Sequence, residues 1–436
     1  MFTDEVKISS NPIVKLIKII NEVEKYVIHI WIKSFFILIV SYLIVSGIGP
    51  SNFPSIKDIF IYSTISLIVA TLLNYFLLKY DNLLVYFLFF SISFCSILGL
   101  TKTLTGSLSE STSLYIYGLS FYTATLAYLS KVKKLNFASS FIAANPLLLI
   151  TGPIATLFKV IHCKTLTTRF NYYFPFIILG IFLHQIIATP LTQARFLIES
   201  TDLISTITYG LIFEIFVYSN FCGLSLIIFG IFGILGIRIP LNFRQPFSSK
   251  NLLEFWRGWH ISFSIVLKEL FYIPIKKKFG TGVAIFGVFL SSALWHGVSL
   301  NFIWWGLFHA ICFSLTLILL KSNIKYISTV LLIVTVPLAR ILYSDDETSR
   351  LISKLHFNYN HFDALYRISN LGNHVKISIA FGSIFILLEI LFRNNKLFIS
   401  KNYKFYRVPV IQYILIILII LFINSNGILY AVYGQR

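Results

Sequence analysis

Residues 283–310 read VAIFGVFLSSALWHGVSLNFIWWGLFHA, and residues 236–280 ahead of them read GIRIPLNFRQPFSSKNLLEFWRGWHISFSIVLKELFYIPIKKKFG. The first stretch opens on an uncharged run, Val283 to Leu294, that meets His296 beside Gly297. After the short link Ser299-Leu300-Asn301 a second apolar run carries His309. An ionisable side chain at membrane depth is costly and marks a functional site by default. The second stretch has a different character: eight cations lie between Arg238 and Lys278 against Glu254 and Glu269, with Phe255, Trp256, Trp259 and His260 packed among them.

Composition generalises the apolar pattern to the whole chain. Of 436 residues, 57% are hydrophobic and only 12% charged, with a mean hydropathy of +0.81. Soluble domains carry about twice that charge. Collagen-like, disordered and disulfide-scaffold chains are excluded on the same grounds. Apolar runs near 26–47, 59–78, 82–100, 113–130, 136–152, 172–190, 203–236, 283–299, 301–320, 326–343, 377–392 and 409–433 are too long and too little alternating for barrel strands. Lipid-exposed backbone must bond to itself, so helices are expected. The fold class is all-α: a polytopic membrane helix bundle of about 11 transmembrane helices with re-entrant and interfacial helices. Residues 1–436 read as a single integral membrane domain without repeats, and we expect no cleaved signal peptide, because residues 1–25 are mixed in charge.

A net charge of +19 would suggest nucleic acid in a soluble protein. In this chain it reads as positive-inside loops against an anionic leaflet, so membrane lipids are expected as partners and nucleic acid is not. The same rule puts 237–282 and the loop from Arg393 to Arg407 in the cytoplasm, and Asp345, Asp346 and Glu347 outside. Lysines flank the 136–152 run on both sides, and Pro146 and Gly152-Pro153 interrupt it, which fits a re-entrant segment. Cys95, Cys163, Cys222 and Cys312 are dispersed, so neither a disulfide framework nor a metal site is expected.

Ser248-Ser249 reads as a helix N-cap region, and Trp256, Trp259, Lys268 and Tyr272-Ile273-Pro274 as an amphipathic helix that anchors at the membrane interface and stops at the proline. His296 and His309 on adjoining helices lower the weight of a purely structural role. A neutral imidazole shielded from water is a suitable general base. There is no H-E-x-x-H, P-loop or G-x-S-x-G motif, and among carboxylates only Glu214 and Glu389 lie inside apolar runs. Gly230, Gly233 and Gly236 recur every three residues, as small residues do where membrane helices approach closely.

Several of these segments together resemble one family. Gly236-Ile237-Arg238-Ile239-Pro240-Leu241-Asn242-Phe243, Phe255-Trp256-Arg257-Gly258-Trp259-His260-Ile261-Ser262, Tyr272-Ile273-Pro274, Leu294-Trp295-His296-Gly297 and Trp305-Gly306-Leu307-Phe308-His309 are similar, in order, to motifs of the membrane-bound O-acyltransferases. The likeness is to the bacterial branch that O-acetylates alginate and peptidoglycan. Looser matches at Thr151-Gly152-Pro153-Ile154 and Tyr218 to Gly223 extend the core motif region to 145–310.

The resemblance implies a bundle around a central tunnel in the inner (cytoplasmic) membrane, with the acyl donor entering from the cytoplasm and the acceptor from the other side. It implies His296 as catalytic base and His260 as a second motif histidine, with Trp295, His309, Asn242, Arg257, Trp259 and Trp305 along the tunnel. It also implies a thioester donor, acyl-CoA or an acyl carrier, no bound cofactor, and an extracytoplasmic acyltransferase or carrier protein as partner. The family's usual carboxylates are replaced by Asn220 and Leu226, its Arg-Asp by Lys268-Glu269, and its next segment by Lys276-Lys277-Lys278. A D-alanyl- or lipid-acylating relative would share these motifs. From another class, a secondary transporter could line its path with the same histidines, although its two halves would be expected to match.

Overall fold

The computed structural model describes residues 124–129, 131–132, 143, 145, 148, 152–154, 159–160, 165–192, 203–296, 299–343, 348–353, 366, 368–395 and 403–423. The first three apolar runs, most of 113–130, most of the proposed re-entrant segment and the acidic 345–347 loop lie outside them. Among the described residues six helices are long and apolar enough to cross a membrane, so the chain is a multi-pass membrane protein. The expected total of about 11 spans includes runs that lie outside the described residues.

Helix α1, Leu166–Ile181, runs on through a wide π turn at Phe182–Ala188. It packs antiparallel on α2, Leu203–Ile234. Small residues let the two backbones meet: a Cβ on Gly180 would strike the Gly223 carbonyl, one on Gly230 would strike Ile177, and one on Gly233 would strike Tyr173. At the far end the Arg169 Nε donates to the Ile234 carbonyl at 3.0 Å, satisfying one of the last carbonyls of α2. Gly236 differs from its two partners in the glycine series. It ends α2 with φ +89° instead of serving a helix contact.

Helix α2 is the enclosed one. Its most apolar window is 89% buried within the protein, against 28% for the span Asn373–Leu391. Beyond Gly236 the chain stays close to the protein body, with Arg238, Arg244 and Lys250 exposed along it. A two-residue strand β2, Ile237–Arg238, pairs antiparallel with β1, Lys159–Val160, and the segment from Ile239 to Asn251 stays largely buried. Buried irregular backbone must find partners. Here Arg244 N–H donates to the Gly258 carbonyl and Ile261 N–H to the Asn242 carbonyl, both at 2.9 Å. Phe247 N–H donates to Glu389 Oε2 at 3.1 Å, and Tyr218 donates to Glu389 Oε1 at 2.6 Å. Glu389 is thus a structural tie between this segment, α2 and its own helix.

The short helix α3, Leu252–Gly258, is capped by Asn251, whose Oδ1 accepts from Glu254 N–H at 2.9 Å. The cap expected at Ser248-Ser249 is corrected: Ser248 closes a 3-10 turn that begins at Pro246. Helix α4, Ile261–Leu267, continues through a π turn, Lys268–Tyr272, into α5, Ile273–His296. The stop expected at Tyr272-Ile273-Pro274 is therefore also corrected. Pro274 lacks the N–H that would bond the Leu270 carbonyl, and the wide turn ahead of it absorbs that loss without ending the helix. The break comes at Gly280, with φ 87° and ψ 175°.

Helix α6, Leu300–Lys321, then folds back on α5, and α7, Lys325–Tyr343, packs on α6 and α2. Their outer faces, with Ile311, Leu315, Ile318, Ile333 and Val334, are exposed and apolar, as lipid-facing surfaces are. The short α8, Thr348–Ser353, the span α9, Asn373–Leu391, and the shorter apolar helix α10, Pro409–Phe422, complete the described chain.

Candidate active site

A cavity of about 660 Å³ opens between α3, α4, α5, α6 and α7. Its wall carries three histidines from three places in the chain: His260 at the start of α4, His296 at the end of α5 and His309 on α6. Trp256, Arg257, Trp259 and Trp305 complete much of the wall. The expected lipid-anchoring role of Trp256 and Trp259 is corrected, because both turn inward. Trp259 is 7% exposed, and Trp256 meets Phe289, Trp305 and His309 at ring distances of 5.6, 6.2 and 5.1 Å.

Trp295 and Asn242 stand behind the wall. Trp295 is buried against Phe263, at 4.5 Å between ring centroids, and against His296 at 4.8 Å. Asn242 Oδ1 accepts from Ser262 N–H at 3.2 Å and Ser262 Oγ–H at 2.8 Å, and it lies 3.2 Å from His260 Nδ1. An amide oxygen has no proton to give, so His260 Nδ1 is the protonated nitrogen of this pair and Nε2 keeps its lone pair. His260 holds this pose at φ +42°, a left-handed conformation that is costly for a residue with a Cβ. Asn220 makes no hydrogen bond to either histidine, since its buried amide atoms have no partner among the described residues; Asn242 takes the orienting position for His260.

His260 lies just ahead of the span that opens at Ile261, and burial pushes its imidazole from an ordinary 6.5 down to about 3. In the unfolded chain it takes up a proton below about pH 6.5. In the folded protein it does so only near pH 3, so stability falls as pH drops through this window, by at most about 1.4 kcal/mol per unit. Thermal unfolding followed from pH 7 to pH 5 is expected to show this acid slope, and His260→Asn to make it shallower.

His296 Nδ1 lies 3.0 Å from the Tyr343 hydroxyl on α7. The two rings meet edge to face with centroids 4.9 Å apart. The Tyr343 oxygen can accept from Nδ1–H, and that tautomer leaves Nε2 as the basic nitrogen. This is the division of labour by which a partner group orients a catalytic imidazole. Tyr343→Phe is expected to lower turnover about 10–100-fold, the range known for the hydrogen-bond partners of metal-bound histidines, with little change in KM. Full turnover in that variant would remove Tyr343 from the site.

Tyr343 and Arg340 are the residues that sequence reading missed. Arg340 is the charged residue inside the 326–343 run, and an arginine at that depth is itself a signal. Tyr343 follows three positions later, on the same helical face. Arg340 forms an ion pair with Glu214 of α2, and the side chains are only 12% and 5% exposed.

Most of the cavity wall falls within the part of the chain that relates it to known proteins. Residues 156–322 match the membrane-bound O-acyltransferase family. Over 103 residues the chain is 37% identical to a peptidoglycan O-acetyltransferase of Helicobacter pylori, covering 23% of this chain and 19% of that protein. It is 29% identical over 140 residues to a teichoic acid D-alanyltransferase of Bacillus subtilis, covering 30% and 35%. A probable alginate O-acetylase of Pseudomonas putida is 38% identical over 96 residues, covering 21% and 20%. The chain thus spans between about a fifth and a third of the length of these relatives. The family match includes every cavity residue from Val217 to Leu317, and it ends before α7, which brings Arg340 and Tyr343.

Proposed function

We propose that this chain is a membrane-bound O-acyltransferase that moves a short acyl group, acetyl, from a cytoplasmic thioester to a hydroxyl of an envelope polysaccharide or its lipid-linked precursor. The observation that carries this reading is the placement of His260 and His296, each with a hydrogen-bond partner on Nδ1, in the wall of one cavity. His296 is the base: Nε2 takes the proton of the acceptor hydroxyl as its oxygen attacks the thioester carbonyl carbon. His260, fixed by Asn242, offers its Nε2 lone pair as a hydrogen-bond acceptor in the same wall. The thioester is a substrate, acyl-CoA or an acyl carrier, and an extracytoplasmic acyltransferase or carrier protein would pass the acyl group on. The site lies in the inner membrane in this reading.

The family match and the two O-acetylating relatives support acetyl as the group moved. The 140-residue similarity to the teichoic acid D-alanyltransferase favours a second reading, transfer of D-alanine. Purified protein in nanodiscs, given radiolabelled acetyl-CoA and either peptidoglycan fragments or alginate oligosaccharides, tests the first reading by the appearance of a labelled, alkali-labile ester. Label from a D-alanyl thioester alone would replace acetyl with D-alanine. Solute uptake in liposomes with neither ester formed would favour a transporter.

A further inference from the structure

Acyl transfer needs more than a base. As the acceptor oxygen bonds to the carbonyl carbon, the carbonyl oxygen takes the displaced electron pair, and a donor must meet that charge. The Trp295 indole is packed behind the cavity wall and does not line it. The geometry points to the Arg340 guanidinium as the group that holds the oxyanion, with Glu214 as the residue that positions it; this inference rests on the acyltransferase reading above.

Four observations carry the assignment. Arg340 and His296 line the same cavity. The Arg340 guanidinium carbon stands 5.1 Å from the Tyr343 ring centroid, and the His296 ring stands 4.9 Å from that same centroid. Both groups therefore meet the same tyrosine ring at the wall of the one cavity. The Arg340 Nε is committed to Glu214, whereas its Nη groups have no hydrogen-bond acceptor among the described residues. Finally, the guanidinium lies over rings from three parts of the chain, with Trp259 at 5.6 Å and Phe213 at 6.0 Å in addition to Tyr343. A donor that is already oriented needs no reorganisation when charge develops.

Charge balance separates this role from the anchoring of a permanently anionic substrate. Arg340 and Glu214 together are neutral, so a permanent anion would leave a net negative charge in a low-dielectric site. The oxyanion appears in the same step in which His296 becomes an imidazolium, and the total charge of the site is unchanged. On collapse the carbonyl re-forms, the C–S bond breaks, and the thiolate leaves with the proton from His296.

The test uses full-length protein in nanodiscs, with acetyl-CoA as donor, alginate oligosaccharide or peptidoglycan fragments as acceptor, and release of free CoA as the readout. Arg340→Lys keeps the charge but loses the planar fork, and the double variant Glu214→Gln with Arg340→Gln removes both charges without leaving either one unpaired. The expected result is a kcat lowered about 10–100-fold in Arg340→Lys and about 100–1000-fold in the double variant, with KM for acetyl-CoA and for acceptor within threefold of wild type. Size exclusion and thermal unfolding establish that each variant is folded. If the double variant does not fold, Arg340→Lys decides alone. A kcat within threefold of wild type in a folded variant overturns the assignment, as does a raised KM for either substrate with unchanged kcat. Absence of transfer in the wild-type protein with every donor would instead overturn the acyltransferase reading itself.

Discussion

His296→Ala is expected to lower the proposed acyl transfer to about a thousandth of wild type or less, with the protein still folded. General base catalysis by a positioned imidazole is worth about 10²–10⁴ in rate, and this imidazole has a hydroxyl partner 3.0 Å from Nδ1 to orient it. The structural cost is small by comparison. His296 is the last residue of α5 and only partly buried, and among its contacts the hydrogen bond to Tyr343 that its removal deletes is worth about 1 kcal/mol. Turnover, KM and melting temperature measured on one preparation separate the two effects. A variant that melts as wild type does and transfers acyl groups at more than a tenth of the wild-type rate would sink the assignment of the base.

Asn242→Ala has the largest expected effect on stability. One amide oxygen serves Ser262 N–H, Ser262 Oγ–H and His260 Nδ1–H at once, inside a segment where Asn242 is 1% exposed. Each buried donor left without an acceptor costs about 1–3 kcal/mol. With partial relaxation the loss is about 3–5 kcal/mol, and the left-handed turn at His260 loses the contact that holds it. Thermal or denaturant unfolding in detergent measures this directly. Asn242→Ser, which restores a smaller acceptor, should recover part of the loss. An Asn242→Ala protein as stable as wild type would show that the Ser262 and His260 donors find other acceptors.

The helices of this fold were largely legible in sequence where a long apolar run ends in lysine or a polar link. The run 301–320 is observed as Leu300–Lys321, and 326–343 as Lys325–Tyr343. The histidines stood out for the same reason, as ionisable groups in apolar surroundings. Direction was the illegible part. A tryptophan beside charges has the same local pattern whether it faces a lipid interface or lines a cavity, and only the packing of α5 and α6 over Trp256 decides between them. The helix cap was misplaced because Ser248, Ser249 and Asn251 are all good capping residues, and the 3-10 turn from Pro246 takes up the two serines. Glu214 and Arg340 lie 126 positions apart, beyond any pattern that local spacing could reveal.

That ion pair also has a mechanical side. It moors α7, whose outer face carries the exposed Ile333 and Val334, to α2, which is almost wholly shielded from lipid. A bilayer too thick or too thin for the protein acts on its outer helices first, by tilting them. Strain of that kind would reach the proposed reaction centre along α7, through Arg340 and Tyr343, with α2 and the segment after it as the more enclosed frame. The lipid composition around the protein would then be a variable of its chemistry as well as of its anchorage.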